Sequence, residues 1–383
     1  MRLLLPLLIF LLSGLVFADE SGVFDSKRTL RISPLFQNWS VDVEDRSLSL
    51  GETSNLVSLY VPVNEQFNFT VSGMQAFVSY DSDDDRTIKG ASDIENFFGI
   101  NDVQIAGNYY LPNIRTVFGL KANLPTGKRD FVQADYNALA DLSNPVFRFQ
   151  VPSFGQGFNL SPSVIIAQPA GENAVLGLGL SYTYRGSFAP FDDDESLDLN
   201  PGDEFLVTAG IDYRLNPSAK LAADFTFGSY TTDAFSTDGG DGVDVFQAGN
   251  RIRVNTSYKQ YLGFHILQLQ GIFRSEAKNE LLTIQDPSAT ETIAGSINFI
   301  ASFAQRASQT VTVGYSAEAR SYQDNKTDLS GGTLFGFAVS PQFTVSKDVS
   351  IPLLLRYRTA SFSAARDISI SGFEAGAGIT FRF

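Results

Sequence analysis

The sequence of 383 residues has no cysteine, one histidine and one tryptophan. Without cysteine the chain can form no disulfide, no thiolate metal site and no thiol nucleophile. Basic residues are also scarce, with 28 lysines and arginines against 42 acidic residues and a formal charge of −14. Because nucleic-acid binding needs clustered positive charge, this balance argues against a nucleic-acid partner.

Long apolar runs are missing everywhere except at the N-terminus. Residues 1–20 begin with one arginine, continue with an apolar run to about Val16 and reach the small residue Ala18 before two acidic residues. This arrangement predicts a secretory signal peptide over residues 1–18, since the run is shorter than the roughly 20 residues of a spanning helix. We therefore expect an exported protein in which residues 19–383 form a single domain.

Phenylalanine and glycine are abundant, with 33 and 32 residues, and the apolar residues occur at every second position. A period of two predicts strands with one apolar and one polar face. The alternation is clearest over 205–214, 220–230, 311–322, 333–345 and 371–383.

Short turns alternate with long polar stretches along the whole chain. The short turns contain Asn, Gly, Pro, Asp or Ser, which tolerate tight backbone angles, and they are predicted at 63–66, 112–113, 169–173, 215–219, 260–263, 305–308 and 346–350. The long stretches are 81–101, 125–156, 186–203, 231–244, 275–290, 323–331 and 364–370. One plain rim and one elaborated rim are typical of a membrane barrel with short periplasmic turns and long extracellular loops.

These patterns predict an all-β fold, a transmembrane up-and-down antiparallel β-barrel in the bacterial outer membrane. Only helices and closed barrels satisfy all backbone groups in lipid. The hairpins provide fourteen strands, and the segments 29–36 and 371–383 raise the count to sixteen. The alternative is fourteen strands, with 29–36 forming a plug or an extracellular excursion.

The alternation also assigns charged side chains to the inward face of the barrel. The main candidates for lining the lumen are Arg115, Lys121, Arg251, Arg253, Glu318, Arg320, Arg356, Arg358 and Glu374. The same face holds Arg185, Arg214, Lys259, Arg274, Arg382, Asp102, Asp212 and Asp224. A basic lumen would favour anionic solutes, because rings of charge set the selectivity of aqueous channels. Alternatively, cross-strand ion pairs fill the barrel, because buried charges must be paired.

The acidic residues cluster in three of the long loops, at 81–85, 191–198 and 238–244. Carboxylates are ligands for divalent cations, and such cations could bridge to the phosphates of lipopolysaccharide. The interpretation that we favour is a solvated outer rim without a metal site. The expected partners are outer-membrane lipid and lipopolysaccharide.

The single histidine, His265, gives little support for an enzyme. It follows a short turn and shares the apolar face with Leu267 and Leu269. A catalytic base must lie within hydrogen-bond reach of a nucleophile or water, and an apolar face suits an interfacial residue better. We therefore expect no enzymatic activity and no cofactor.

Four stretches resemble a known family. They are "GINDVQIAGNYYLPN" (99–113), "TVFGLKANLPTGK" (116–128), "SFGQGFNLSPSVIIAQPAG" (153–171) and "LGLGLSYTYRG" (178–186). They resemble the outer-membrane protein family of the meta-pathway of phenol degradation, over residues 95–190. The resemblance implies a channel-like barrel distantly related to transporters of long-chain fatty acids and aromatic hydrocarbons. It transfers no site residue to this chain.

The predicted function is passive uptake of small solutes, anionic or aromatic, through an outer-membrane channel. The alternatives are a structural or surface-exposed barrel with an occluded lumen and, third, a barrel hydrolase. The C-terminal residues Phe381 and Phe383 resemble the signal by which the barrel-assembly machinery recognises its clients, so this machinery is a further expected partner.

The basic lumen leads to a test of ion selectivity. Reversing the charge of Arg356 and Arg358 should shift the reversal potential in bilayer recordings, because two inward positive charges become negative. An unchanged reversal potential would contradict a role of these residues in selectivity.

Overall fold

We describe the protein from a computed structural model, which covers residues 24–43, 46–82, 94–129, 131, 136–190, 197–237, 242–281, 295–323, 331–363 and 367–383. The predicted signal peptide lies outside these described residues. No helix among them is long and apolar enough to cross a bilayer.

The wall is one antiparallel sheet whose strands are connected in sequence order. Its first half contains β1 (Thr29–Val43), β2 (Arg46–Pro62), β3 (Phe67–Ser82), β4 (Ile94–Ile100), β5 (Val103–Leu111), β6 (Thr116–Leu124), β7 (Asn159–Ala170), β8 (Ala174–Arg185) and β10 (Glu204–Asn216). The second half contains β11 (Ala219–Tyr230), β14 (Arg251–Leu262), β15 (His265–Glu276), β17 (Gly295–Arg306), β18 (Val311–Gln323), β19 (Gly332–Ser346), β20 (Val349–Ser363), β21 (Asp367–Ala377) and β22 (Ile379–Arg382).

The sheet closes into a barrel of 16 strands. β4 and β5 pair with β3 one after the other, so they form one wall strand, and β21 and β22 do the same against β1. Closure is made by β1, whose residue Trp39 lies opposite Gly372 of β21. The predicted barrel of sixteen strands is confirmed, and the fourteen-strand alternative is wrong because residues 29–36 belong to the wall.

All seven predicted short turns are found at one end of the barrel, which we call the short-turn rim. At two of them Gly171 and Gly263 have φ values of 79° and 63°, a conformation that glycine adopts without steric cost. The opposite end, the long-loop rim, carries the long connections. One predicted loop, 81–101, is partly wrong, because Ile94–Ile100 continues the wall as β4.

Three connections at the long-loop rim build a second, smaller sheet. Its strands are β9 (Leu197–Asn200), β12 (Thr232–Thr237), β13 (Val243–Gln247) and β16 (Glu280–Leu281), paired in the order β16-β13-β12-β9. The sequence predicts these stretches as loops, since each strand is short. β12 and β13 pair within one connection, whereas β9 and β16 join them from other connections, and pairing between connections depends on tertiary structure.

The outer surface of the barrel is apolar. In β8 the alternate residues Leu176, Leu178, Leu180, Tyr182 and Tyr184 are between 42% and 50% exposed. Exposed apolar side chains at every second position form the band that a barrel presents to lipid. The faces therefore agree with those that the alternation predicts.

This outer face leads to a test of depth. Phe337, in the middle of β19, is 67% exposed, and Val345, near the short-turn rim on the same face, is 64% exposed. The substitution Phe337→Arg should lower the free energy of unfolding from vesicles by about 2–4 kcal/mol, and the matched control Val345→Arg by about 0–1 kcal/mol, because the cost of arginine falls towards the interface. Equal losses at the two positions would contradict a lipid-facing band at this height.

Candidate functional site in the barrel lumen

The described residues between β6 and β7, namely 125–129, 131 and 136–158, leave the wall halfway between the rims and fold into the lumen. β6 ends at Leu124 opposite Val103, and β7 begins at Asn159 opposite Asn123. The intervening chain contains the helix α1 (Tyr136–Leu142). The sequence predicts a long loop here, and the structure adds that its side chains pack inside the barrel. We call residues 125–158 the inward segment.

The two ends of the inward segment are held together at the wall. The carboxylate of Asp102 accepts hydrogen bonds from the backbone N–H groups of Gly127 (2.8 Å) and Gln156 (2.7 Å). A Cβ on Gly127 would lie 2.6 Å from the Cα of Gly155, so only glycine allows this approach of the two backbones. Three of the stretches that resemble the phenol-degradation family therefore meet at one point.

Two buried side chains of the wall bind the far part of the segment. Gln37 on β1 lies opposite Glu52 on β2. The Gln37 amide donates to the carbonyl of Arg148 (3.2 Å) and accepts from the N–H of Gln150 (2.8 Å). The Glu52 carboxylate accepts the N–H of Val151, at 3.2 Å from each oxygen. These bonds satisfy backbone groups that would otherwise be buried without partners.

Aromatic side chains fill the space between the segment and the wall. The rings of Trp39 and Phe147 lie 5.5 Å apart, and those of Phe97 and Phe131 also lie 5.5 Å apart. Such pairs contribute about 0.5–1.5 kcal/mol each beyond the burial of their area. The wall side of this core is completed by Val41, Leu50, Ala76, Val78, Tyr80, Leu334, Ala360 and Ile370. The segment thus packs against one side of the lumen.

The sequence carries a weak signal for this core that pattern reading misses. Inward positions near the long-loop rim are apolar and buried at Trp39, Leu50 and Val78. Because a water-filled lumen is lined by polar residues, apolar residues at these positions indicate that something apolar lies inside.

Five of the predicted lumen residues form one ion-pair network. The guanidinium of Arg358 bonds to both Glu318 and Glu374, and Arg356 bonds to Glu374 at 2.8 Å. Arg320 lies 3.5 Å from Glu318. The network therefore follows the alternative interpretation, in which cross-strand pairs satisfy the inward charges. Reversal of Arg356 and Arg358 would also break these pairs.

Apart from Arg115, the remaining predicted lumen residues lie on β6 and β14. Arg251 lies 3.1 Å from the Glu276 carboxylate, and the guanidinium of Arg253 bonds to Asn255 at 2.8 Å. Lys121 on β6 lies opposite Ser161 of β7. Sequence reasoning did not single out Arg148, because the inward segment carries no alternation to assign a face.

The prediction that Arg115 lines the lumen is wrong. The turn after β5 extends over four residues rather than two, as it includes the 3₁₀ helix Pro112–Ile114. Arg115 follows that helix with a φ of 50° and is exposed at the short-turn rim, outside the wall strands.

Phe381 and Phe383 complete the last wall strand. Phe381 lies opposite Leu30 of β1. The backbone of Phe383 exchanges hydrogen bonds of 3.0 and 3.1 Å with Arg28, and its side chain is 63% exposed. Their role as an assembly signal stays a prediction.

The acidic loops lie largely outside the described residues, namely 83–85, 191–196 and 238–241. Within the described ranges, no group of three or more His, Asp or Glu side chains could hold a metal ion. His265 begins β15 directly after a turn, and its ring lies 5.6 Å from that of Phe303.

The buried network leads to a test of stability. Glu374 is 3% exposed and holds both Arg356 and Arg358. The substitution Glu374→Gln should lower the free energy of unfolding by about 3 kcal/mol, because it leaves a buried positive charge without its partner.

The control is Lys27→Gln, which removes the ion pair of 2.7 Å with Asp348 at the surface. Exposed pairs contribute little, so urea unfolding of this variant should match the original protein. A larger loss for Lys27→Gln than for Glu374→Gln would contradict the importance of the buried network.

No model of a known protein family matches the chain, and no curated protein matches its sequence. The resemblance to the phenol-degradation family therefore stays a prediction.

Solved structures of outer-membrane proteins are similar at low identity. A deletion mutant of the TodX monoaromatic hydrocarbon channel is 9% identical, with a TM-score of 0.48 over 94% of this chain and 91% of that one. OmpT, an outer membrane protein of Vibrio cholerae, is 9% identical, with a TM-score of 0.42 over 93% and 98%. OccK5 of Pseudomonas aeruginosa is 12% identical, with a TM-score of 0.40 over 94% and 98%. Identities this low transfer neither a residue nor a solute to this chain.

Proposed function

We propose that this protein is a channel of the bacterial outer membrane through which small solutes pass passively. The observation that carries the proposal is the contrast between an apolar outer face and a polar inner face that is partly exposed to water. Barrels of 16–18 strands are wide enough for an aqueous channel. Partly exposed polar side chains on the inner face include Asp212, Asp224, Arg253, Ser257, Lys259 and Gln268.

The inward segment limits the size of the solute. It packs on β19 to β21 and on β1 to β4, and Arg148 lies close enough to Arg274 on β15 and Arg320 on β18 for their charges to interact. The passage is therefore restricted to the side of β5 to β17. Charged side chains line that side, which favours anionic solutes over neutral aromatic ones.

The proposal includes the surroundings of the protein. The predicted signal peptide would direct export, the apolar band would contact outer-membrane lipid, and the assembly machinery and lipopolysaccharide would be its partners. We propose no catalytic role, because His265 is packed beside Phe303 at the rim.

A barrel with an occluded lumen is the second candidate. It is favoured by the core beneath the long-loop rim, where Trp39, Leu50, Leu142 and Val151 are fully buried. In this case the inward segment would close the lumen, and the function would lie in the loops.

Cysteine accessibility separates the two candidates, since the natural chain has no cysteine. Ser257 and Thr256 are neighbours on β14 that point into and out of the barrel. If the lumen is open, a charged, water-soluble thiol reagent should reduce the current through Ser257→Cys in a planar bilayer. The control variant Thr256→Cys should not respond, because lipid excludes a charged reagent.

Absence of conductance from correctly folded protein would contradict the channel and support the occluded barrel. Correct folding is checked by the shift in gel mobility on heating. Equal reaction of both cysteines would contradict the assignment of the two faces.

A further inference from the structure

Four consecutive wall strands bring a group of polar side chains together on the inner face. Arg253 on β14 lies directly opposite Arg274 on β15, and Asn298 on β17 lies directly opposite Arg320 on β18. Arg148 of the inward segment interacts with the charges of Arg274 and Arg320. We call these five residues the arginine cluster.

The positive charge of the arginine cluster is only partly balanced. The guanidinium of Arg320 lies 3.5 Å from the Glu318 carboxylate, and the negative charge of Asp224 partly balances the positive charge of Arg253. In the part of the chain that the structure describes, Arg148 and Arg274 form no ion pair. Like charges directly opposite in a sheet repel each other. An anion bound between Arg253 and Arg274 would reduce this repulsion.

Buried polar atoms without partners lie in the same place. Asn298 is 0% exposed, and neither its amide nitrogen nor its amide oxygen has a hydrogen-bond partner among the described residues. Arg320 is 1% exposed, and its Nε also lacks a partner. Native structures satisfy nearly all such groups, so the amide of Asn298 and the Nε of Arg320, unpaired on neighbouring strands, point to a bound species.

Arg148 has an unfavourable backbone conformation, and its guanidinium lies in the field of like charges. Its backbone has a φ of 55°, which costs free energy for a residue with a side chain and is often found at functional sites. Burial first, and then the guanidinium groups of Arg320 and Arg274, hold the pKa of Arg148 well below its ordinary value. Because arginine stays protonated in proteins, the charge remains, and a bound anion would stabilise it.

We propose that the arginine cluster binds the carboxylate group of a small solute that passes through the lumen. The inference rests on the proposed channel and names the chemistry of its solute. A planar guanidinium donates two parallel hydrogen bonds to a carboxylate, and the amide nitrogen of Asn298 supplies a further donor. Inorganic phosphate offers the same oxygen acceptors and is the competing source.

The chain contains a reporter beside this site. Trp39 is the only tryptophan, and its ring packs 5.5 Å from that of Phe147, the residue before Arg148. An anion that draws Arg148 towards the wall changes the contacts of this indole. Tryptophan fluorescence therefore reports binding without any measurement of current.

Acetate and phosphate are titrated separately into the full-length protein folded in detergent, at constant ionic strength. We expect a saturable change in fluorescence with acetate. The variant Arg274→Gln should raise the half-saturating concentration about tenfold, which corresponds to the loss of one charge-assisted hydrogen bond. Arg274→Lys keeps the positive charge and loses the planar guanidinium that donates two parallel hydrogen bonds. It should weaken acetate binding less than Arg274→Gln.

The matched control is Lys259→Gln. It removes one positive charge from the inner face near the short-turn rim, far along β14 from Arg253. This variant should bind acetate as the original protein does. If Lys259→Gln and Arg274→Gln weaken acetate binding equally, the proposed site is wrong and binding depends only on the overall positive charge of the lumen. A linear response to acetate, or saturation by phosphate alone, would overturn the assignment to a carboxylate.

The two proposals fail in different ways. Folded protein that conducts ions but shows no saturable acetate signal would contradict the site and leave the channel standing. Folded protein that binds acetate with the expected variant pattern but carries no current would contradict passage and leave the carboxylate site standing.

Discussion

The structure depends on closure of the sheet between its first and last strands. β1 uses both of its edges, pairing with β2 on one side and with β21 and β22 on the other. Among the described residues, no wall strand is left as a free edge, which is the condition for a sheet to stand in lipid. Closure also sets the direction of every side chain, since alternate residues must then face outward or into a shared interior.

The number of strands creates the second constraint, an interior too wide for wall side chains to fill. A barrel of about eight strands is filled by its own side chains, and one of sixteen is not. In this chain the inward segment takes up part of that space. It leaves the wall where the Asp102 carboxylate binds the backbone of Gly127, and it packs on Trp39 and its neighbours. The core of the protein is therefore made by a connection between strands and not by the strands alone.

Charge inside the barrel falls into two groups with different physical roles. Arg356 and Arg358 share the carboxylates of Glu318 and Glu374, so their charges hold neighbouring wall strands together. Arg148 and Arg274 form no ion pair among the described residues, and their like charges repel each other. A channel needs the first group for a defined shape and the second for contact with solutes, because only charge that the protein leaves uncompensated attracts an ion from water.

The sequence by itself determined the barrel, because a period of two and the spacing of turns are local properties that closure preserves. The strand count, the seven short turns and the outward apolar face follow from them. Only the tertiary structure decided that the inward segment packs inside the barrel, since an irregular segment has no period of two that assigns its side chains to a face. It also decided which arginines are paired, because a partner such as Glu374 for Arg358 depends on which strands become neighbours and in what register. The electrostatic interaction of Arg148 with Arg274 joins residues far apart in the chain, and no local sequence pattern predicts it.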